Sequence, residues 1–174
     1  WVDRGLKIEQ GTATLDRVIG SAFFISSDGL LVTNHHVISS LVDPSYEGFA
    51  RLYIRMGSSS SPRIPAKVIG WDPLMDLAVI QAQIQPDYVF SLLDTAPLNV
   101  GSQILAIGSP AGFEKTVTQG IVSATGRRLL QIGDVFQLDA AVNQGNSGGP
   151  ALDLNGRLTG VVFAGVPSFQ GLNF

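Results

Sequence analysis

Short apolar runs, each closed by a turn signal, leave this 174-residue chain few possible architectures. An apolar run at residues 18–25 leads through Ser-Ser-Asp-Gly into a second run at residues 30–33, and an Asn-Gly pair separates two later runs at residues 150–154 and 157–162. Asp-Gly and Asn-Gly pairs between apolar runs are strong hairpin signals. Apolar and other residues alternate over positions 51–56, as in a half-buried strand. Because no long amphipathic helix pattern is present, the sequence predicts an all-β barrel or sandwich.

A serine lies inside a glycine-rich hexapeptide, Gly-Asn-Ser-Gly-Gly-Pro, at residues 145–150. A hydroxyl becomes nucleophilic when a base removes its proton, and the oxyanion that then forms needs backbone N–H groups aimed at it. Glycines let the chain turn sharply around Ser147, and the N–H groups of Gly145 and Ser147 are the natural pair to converge on one oxygen. The motif predicts a nucleophile with its oxyanion hole; the alternative is a glycine-rich hairpin that carries an exposed serine.

Two adjacent histidines, His35 and His36, follow the apolar run at residues 30–33. A histidine at this position lies where a strand ends and the chain turns, which suits a general base. Neighbouring side chains point in different directions from a strand or a helical turn, so only one of the two can serve. The alternative is that both are polar side chains satisfied by the local turn.

Two aspartates flank the next turn signal. Asp76 directly precedes a strand-like run at residues 77–80, and Asp72 directly precedes Pro73. A carboxylate at an element boundary can orient an imidazole or can simply cap a turn. Because Asp-Pro is itself a turn signal, Asp72 fits the turn role and Asp76 is the candidate for orienting a histidine.

The chain order of these residues excludes one competing class of enzyme. The hexapeptide also matches the G-x-S-x-G elbow of α/β-hydrolases, in which the acid and the histidine follow the serine. No histidine follows Ser147 here. The order histidine, aspartate, serine is instead that of the two-barrel serine proteases.

Five sequence blocks, in order, resemble the protease domain of the HtrA/Deg (Do-like) serine endoproteases and span most of the chain. The blocks are TNHHVI at residues 33–38, DPLMDLAVI at 72–80, GSPAG at 108–112, TQGIVSA at 118–124 and QLDAAVNQGNSGGP at 137–150. Position by position, the resemblance implies that His36 is the general base, Asp76 its orienting carboxylate and Ser147 the nucleophile. It favours His36 over His35 because the family histidine directly precedes the valine.

The resemblance also implies the fold. It is similar to chymotrypsin and trypsin, with two packed six-stranded antiparallel β-barrels and the active site in the cleft between them. Residues 1–174 would then form one serine protease domain. His36 and Asp76 would lie on the first barrel and Ser147 on the second.

The boundary between the barrels is expected between residues 83 and 100. Pro86 and Pro97 interrupt strand pairing there, because proline cannot donate to a sheet ladder. We therefore expect sub-barrels at about residues 1–90 and 91–174. One or two PDZ domains after the protease domain are usual in the family, so a C-terminal PDZ extension is expected in the full-length protein.

The resemblance to two-barrel proteases also indicates a specificity pocket. Its walls are expected to be Ala141, Val142, Asn143, Phe163, Ala164 and Gly165. No carboxylate lies near Ala141 to attract lysine or arginine, and Phe163 is expected to keep the pocket shallow. Cleavage should follow small to medium apolar residues such as Val, Ala, Leu or Ile, with modest discrimination because each methylene contributes only about 0.8 kcal/mol. The alternative is that these residues are ordinary core.

Composition and charge exclude several other classes. The net charge of −3 and the lack of a basic stripe argue against a nucleic-acid partner. Without cysteine there is no disulfide or thiolate site, and two adjacent histidines make a poor metal site, so neither metal nor cofactor is expected. No apolar run of membrane-spanning length occurs, and the first residues lack a signal-peptide layout.

The low charge points to surfaces covered by a partner. Charged residues make up 14% of the chain, against about 25% in typical domains. By resemblance, a homotrimer and PDZ domains of the same full-length chain are the expected covers. The resemblance likewise implies an extracytoplasmic location, most simply the periplasm and otherwise an organelle.

The family role is protein quality control during stress, by cleavage of unfolded or damaged polypeptides. Activation by chain cleavage is not expected here, because Asn146 replaces the aspartate that pairs with a new amino terminus in digestive relatives. The sensor-loop stretch at residues 126–134 is short. The alternative function is a catalytically latent binding or chaperone module on the same fold.

Overall fold

The structure, a computed structural model, describes residues 2–9, 11–57, 60–93, 98–109, 116–128, 134–143 and 145–163. Within these ranges it contains twelve β-strands and one α-helix. The strands are β1 Val2–Glu9, β2 Thr12–Val18, β3 Phe23–Phe24, β4 Leu30–Thr33, β5 Arg51–Ile54, β6 Ile64–Asp72, β7 Leu77–Ala82, β8 Gln103–Gly108, β9 Thr116–Arg128, β10 Asp134–Leu138, β11 Pro150–Leu152 and β12 Leu158–Val161. The helix is α1 His35–Val42.

The strands form two antiparallel sheets. Sheet 1 has the order β2-β1-β5-β6-β7-β4-β3, and sheet 2 has the order β10-β9-β8-β11-β12. The all-β prediction is confirmed, as are the two predicted hairpins: β3 pairs with β4, and β11 pairs with β12 around Gly156, which has a φ of 78°. The first sheet therefore uses only residues up to Ala82, and the second begins at Gln103.

The described strands divide seven and five, whereas six and six were expected. Residues 19–22, between β2 and β3 of sheet 1, belong to neither strand. Within this segment the amide of Ser21 donates to the carbonyl of Ser147 at 2.7 Å. A residue between two strands of sheet 1 is thus hydrogen-bonded to the turn that leads into sheet 2.

The predicted strand at residues 51–56 is shorter than expected. β5 ends at Ile54, and Met56 lies beyond it with 40% of its surface exposed. Leu52 and Ile54 are buried, as their alternation predicted. The strand ends early because β5 pairs with β6 only as far as the partners of Tyr53 and Ile54.

Three groups of apolar side chains hold the fold together. One lies within sheet 1 and includes Ile38 and Ile80, and another lies within sheet 2 and includes Ile104 and Leu138. The third joins the two sheets, because Phe23 of β3 is buried with Leu152 of β11 and Leu158 of β12. Fully burying a side chain of this size contributes about 1.5–3 kcal/mol. The sheets are therefore packed through β3, next to the interruption that holds Ser21.

Helix α1 begins at the end of β4. Asn34 is its N-cap residue, and Val37 and Ile38 are the buried side chains that face sheet 1. The two histidines occupy the first turn of the helix, so they project in different directions, as predicted. The helix is only eight residues long, in agreement with the absence of a long amphipathic pattern.

Candidate active site

His36 and Asp76 form a hydrogen-bonded pair at the ends of α1 and the β6–β7 turn. Nδ1 of His36 lies 2.7 Å from Oδ2 of Asp76, and the backbone N–H of His36 donates to Oδ1 at 2.8 Å. Each carboxylate oxygen therefore has its own contact with the same residue. The imidazole remains accessible, with 45% of its side chain exposed, while the Asp76 side chain is largely covered. This arrangement leaves the Nε2 edge of the ring free to meet a second group.

The backbone of Asp76 is held as firmly as its carboxylate. Its φ of 51° is in the left-handed region, which aspartate tolerates better than most residues. Its carbonyl accepts the N–H of His35 at 3.1 Å and the side-chain amide of Asn34 at 2.9 Å. The start of α1 is thus fastened to the Asp76 turn by four hydrogen bonds in all.

The second histidine, His35, and the second aspartate, Asp72, take no part in the side-chain contact between His36 and Asp76. The carboxylate of Asp72 accepts the N–H groups of Leu74 and Met75 at 2.8 and 3.1 Å, which confirms its predicted turn role. The pKa of Asp43 is lowered mainly by hydrogen bonds from the hydroxyl and the amide of Ser45, and further by the charge of nearby His35. In the described part of the chain, His35 contacts Asp76 through its backbone N–H, and both hydrogen-bond contacts of the Asp76 carboxylate are with His36.

The turn around Ser147 is tightly packed and depends on its glycines. Gly148 has a φ of 84°, and a Cβ at this position would lie 2.2 Å from the carbonyl oxygen of Ser21 and 2.4 Å from Oγ1 of Thr33. A Cβ at Gly149 would lie 2.0 Å from the carbonyl oxygen of Ile107. Glycine is required at both positions by close backbone approach, which explains the composition of the motif.

Residues that adjoin Ser147 pack against residues that adjoin His36. A Cβ at Gly20 would meet both the Val37 side chain and the Ser147 carbonyl, and one at Gly148 would lie 3.1 Å from the amide of Asn34. Oγ of Ser147 donates to the carbonyl of Phe163 at 3.1 Å. Among the described residues, no hydrogen bond joins Ser147 to His36.

The two candidate oxyanion donors are unoccupied within the described part of the chain. Neither the amide of Gly145 nor that of Ser147 donates to a described residue, although the amides of Asn146, Gly148 and Gly149 all do. The φ of Gly145 is 106°, which again requires glycine. An oxyanion site needs backbone N–H groups that are free to donate to the substrate oxygen, and these two groups lie on either side of the buried Asn146.

The residues expected to form the specificity pocket are described only in part. Ala141 and Asn143 are exposed, and Val142 and Phe163 are half-buried. Ala164 and Gly165 lie outside the described residues. The carbonyl of Asn143 accepts the amide of Asn146 at 3.0 Å, so this segment leads directly into the nucleophile turn.

Sequence reasoning missed Ser21, which hydrogen bonds to both Gly145 and Ser147. It did not foresee that Asn146 is 1% exposed, with neither side-chain amide atom hydrogen-bonded in the described structure. The sequence signal for Ser21 is its place after Gly20, as a polar residue within the apolar run at residues 18–25. Within the described ranges, no cluster of three or more histidine or acidic side chains could hold a metal. No described helix is long and apolar enough to cross a membrane.

Comparison with known proteins gives this geometry a family. Residues 20–161 match the model of the trypsin-like peptidase domain. The chain is 38% identical over 165 residues to a "probable periplasmic serine endoprotease DegP-like" of Chlamydia trachomatis, covering 91% of this chain and 31% of that protein. The chain thus spans about a third of the length of this relative.

Solved structures agree in both fold and sequence. The HtrA-type protease AlgW, solved with a decapeptide, has a TM-score of 0.75 and 34% identity, covering 94% of this chain and 48% of its own. Deg5 has a TM-score of 0.72 and 33% identity, covering 89% of this chain and 77% of its own. The chain belongs to the trypsin-like peptidase domain family, and within it to the HtrA/Deg serine endoproteases.

Proposed function

We propose that this chain is a serine endopeptidase domain with His36, Asp76 and Ser147 as its catalytic triad. One observation carries the proposal: the 2.7 Å contact between His36 and Asp76 lies beside a glycine-rich turn that presents Ser147 and two unoccupied N–H groups. The membership of the chain in the HtrA/Deg family supports the same reaction. The proposed reaction is acyl transfer through a covalent intermediate.

Proton transfer is the task of the histidine. Because Asp76 accepts a hydrogen bond from the Nδ1–H group of His36, the neutral ring presents a free Nε2 as base. The Ser147 hydroxyl donates to the carbonyl of Phe163 in the structure, and for the reaction we propose that it exchanges this partner for Nε2 of His36. The carboxylate then stabilises the imidazolium that forms, and the imidazolium returns its proton to the leaving amine. Water hydrolyses the acyl enzyme by the same path.

The backbone stabilises the negative charge that develops on the substrate oxygen. The amides of Gly145 and Ser147 are proposed to donate to the oxyanion, with no charged side chain involved. Removing one donor from such a site commonly lowers kcat by about 10²–10³-fold. The free state of both amides in the described chain supports this assignment.

The substrates proposed are unfolded or damaged polypeptides, cut after small to medium apolar residues. The half-buried Val142 and Phe163 support an apolar pocket, and the carboxylate of Asp139, the acidic residue next to this segment, accepts the N–H of Ile121. A periplasmic location is proposed because the chlamydial relative is a probable periplasmic endoprotease, and a role in protein quality control is proposed from the family to which the chain belongs. A homotrimer and C-terminal PDZ domains remain predictions, supported by exposed apolar side chains such as Leu6, Ile8 and Leu15.

A latent module is the second candidate function, and one observation favours it. The Ser147 hydroxyl donates to a backbone carbonyl instead of to the base. If this arrangement persisted with substrate, the domain would bind unfolded chains without cutting them. Such a module would suppress aggregation equally well with serine or alanine at position 147.

The test is cleavage of casein by the wild type and by three single variants. Ser147→Ala and His36→Ala should lose about 10⁶-fold in rate, because each removes a member of a unit that acts together. His35→Ala is the matched control and should retain activity, since its neighbour holds the contact with Asp76. A fluorophosphonate probe should label the wild type at Ser147, identified by mass spectrometry. If the wild type neither cleaved casein nor reacted with the probe, the proposal would be contradicted. Labelling without cleavage would support the latent module.

A further inference from the structure

We propose that Ser21 is a positioning residue for the oxyanion hole, which it orients through the backbone of the nucleophile turn. The inference rests on the proposed function. Ser21 lies between β2 and β3, in the part of the chain that forms sheet 1. The turn that it contacts leads into β11 of sheet 2, and 124 positions of sequence separate Ser21 from Gly145. One residue of the first sheet therefore reaches the backbone that carries the oxyanion donors.

Ser21 holds the carbonyl groups on both sides of Asn146. Its backbone N–H donates to the carbonyl of Ser147 at 2.7 Å, and its hydroxyl donates to the carbonyl of Gly145 at 2.7 Å. Both donors come from one residue, so the distance between the two carbonyls is set by the geometry of that residue. The turn is fixed at two points by a single clamp.

The clamp itself is fixed by two further hydrogen bonds. The Ser21 hydroxyl accepts the N–H of Ser109 at 3.0 Å while it donates to Gly145. The Ser21 carbonyl accepts the hydroxyl of Thr33 at 2.7 Å, at the end of β4. A rotation of the hydroxyl would therefore break two hydrogen bonds at once, which gives the side chain one preferred orientation.

This clamp controls the direction of the two oxyanion donors. The peptide between Gly145 and Asn146 is held at both ends, by Ser21 at its carbonyl and by the Asn143 carbonyl at its N–H, at 3.0 Å. The next peptide, which carries the N–H of Ser147, is held through its carbonyl by the amide of Gly149 at 2.9 Å. Because glycine rotates freely about φ and ψ, fixing the Gly145 carbonyl removes one of the two rotations that could misdirect its N–H.

Removal of the hydroxyl alone isolates this effect. Ser21→Ala retains the backbone bonds to Ser147 and Thr33 and loses only the two bonds of the hydroxyl. The amide of Ser109 would then keep a single long contact, 3.4 Å, with the Gly145 carbonyl. The turn stays in place while the peptide beside the oxyanion site gains freedom.

The experiment compares steady-state cleavage of a chromogenic peptide by the wild type, Ser21→Ala and Ser21→Thr. We expect kcat to fall about 10- to 100-fold in Ser21→Ala, less than the cost of deleting an oxyanion donor outright, with KM within about twofold. The affinity for a peptide boronate, which mimics the tetrahedral intermediate, should fall in parallel with kcat/KM. Ser21→Thr restores the hydroxyl and should recover most of kcat. If Ser21→Ala does not fold, Ser21→Cys, of similar size and with a weak donor, replaces it.

Thr159→Val is the matched control, because the Thr159 hydroxyl also donates to a backbone carbonyl, that of Ala151, at 2.9 Å. Thr159→Val should lower the melting temperature by about as much as Ser21→Ala does, and it should leave kcat unchanged. Wild-type kcat and boronate affinity in Ser21→Ala would overturn the inference, as would an equal loss of kcat in Thr159→Val. An inert wild type, unlabelled at Ser147, would overturn the proposed function and this inference together.

Discussion

The two halves of the candidate site are built by different means. On sheet 1, His36 and Asp76 are joined by side-chain hydrogen bonds, and the imidazole is accessible. On sheet 2, the turn around Ser147 is held by backbone contacts so close that Gly148 and Gly149 admit no side chain. The first half depends on which functional groups are present, and the second on how much space remains. Substitution of His36 or Asp76 should therefore abolish the chemistry, whereas a side chain at Gly148 or Gly149 should destabilise the fold.

The strongest test of the first half is Asp76→Asn. Asparagine tolerates the left-handed backbone at this position, so the turn should be preserved. Its oxygen can still accept the N–H of His36, but its NH₂ group would then face Nδ1 and favour the tautomer protonated on Nε2. We expect kcat to fall about 10⁴-fold with little loss of stability.

Asp72→Asn is the control for that prediction. Its carboxylate lies in the same turn and accepts only backbone N–H groups, which the asparagine oxygen can also accept. Activity should remain close to that of the wild type, as measured by peptide hydrolysis beside a thermal unfolding curve. Equal losses in the two variants would show that the turn, and not the pairing of Asp76 with His36, had been disturbed.

Gly148→Ala tests the second half. Its φ is 84°, which costs an alanine about 1–2 kcal/mol, and its Cβ would overlap the Ser21 carbonyl and the Thr33 hydroxyl, which adds about 1–3 kcal/mol. Gly156→Ala is matched to it, because the φ there is 78° but nothing lies within 4 Å of the added Cβ. Urea unfolding should show a larger destabilisation at Gly148 than at Gly156. Equal values would mean that close packing contributes nothing to the nucleophile turn.

The smallest expected effect concerns Asp153, in the β11–β12 turn beyond the nucleophile. Partial burial alone would raise the pKa of its carboxyl, but hydrogen bonds from the amide and guanidinium of Arg157 and the amide of Asn155 lower the pKa below its usual 3.8. A lowered folded-state pKa contributes stability above pH 3.8, and this contribution is lost as the pH falls through the folded value. The hairpin therefore loses part of its stability in acid.

The measurement for Asp153 is thermal unfolding of the wild type and of Asp153→Asn at neutral pH and in acid below the usual pKa. The variant should be less stable at neutral pH, and the difference should shrink in acid. Asp87→Asn, at an exposed carboxylate, provides the comparison for a general change in charge. A constant difference for Asp153→Asn at both pH values would contradict the assignment of the turn hydrogen bonds to the charged carboxylate.

Local sequence signals predicted local structure well. The Asp-Gly and Asn-Gly pairs predicted two hairpins, and alternation predicted the buried Leu52 and Ile54, because turn chemistry and strand periodicity act over a few residues. The end of that strand was predicted too late at Met56. The hydrogen bond between Ser21 and Ser147 was not predicted, because it joins residues that are far apart in the chain.

By itself, the sequence determined the all-β class, the glycines that the nucleophile turn requires and the set of residues able to form a triad in the order histidine, aspartate, serine. Only the tertiary structure decided that the carboxylate of Asp76 contacts His36, and that Ser21 is hydrogen-bonded to the nucleophile turn. The physical reason is distance along the chain. These contacts join residues up to 126 positions apart, as Ser21 and Ser147 are, and their partners are determined by the packing of two sheets and not by any local pattern.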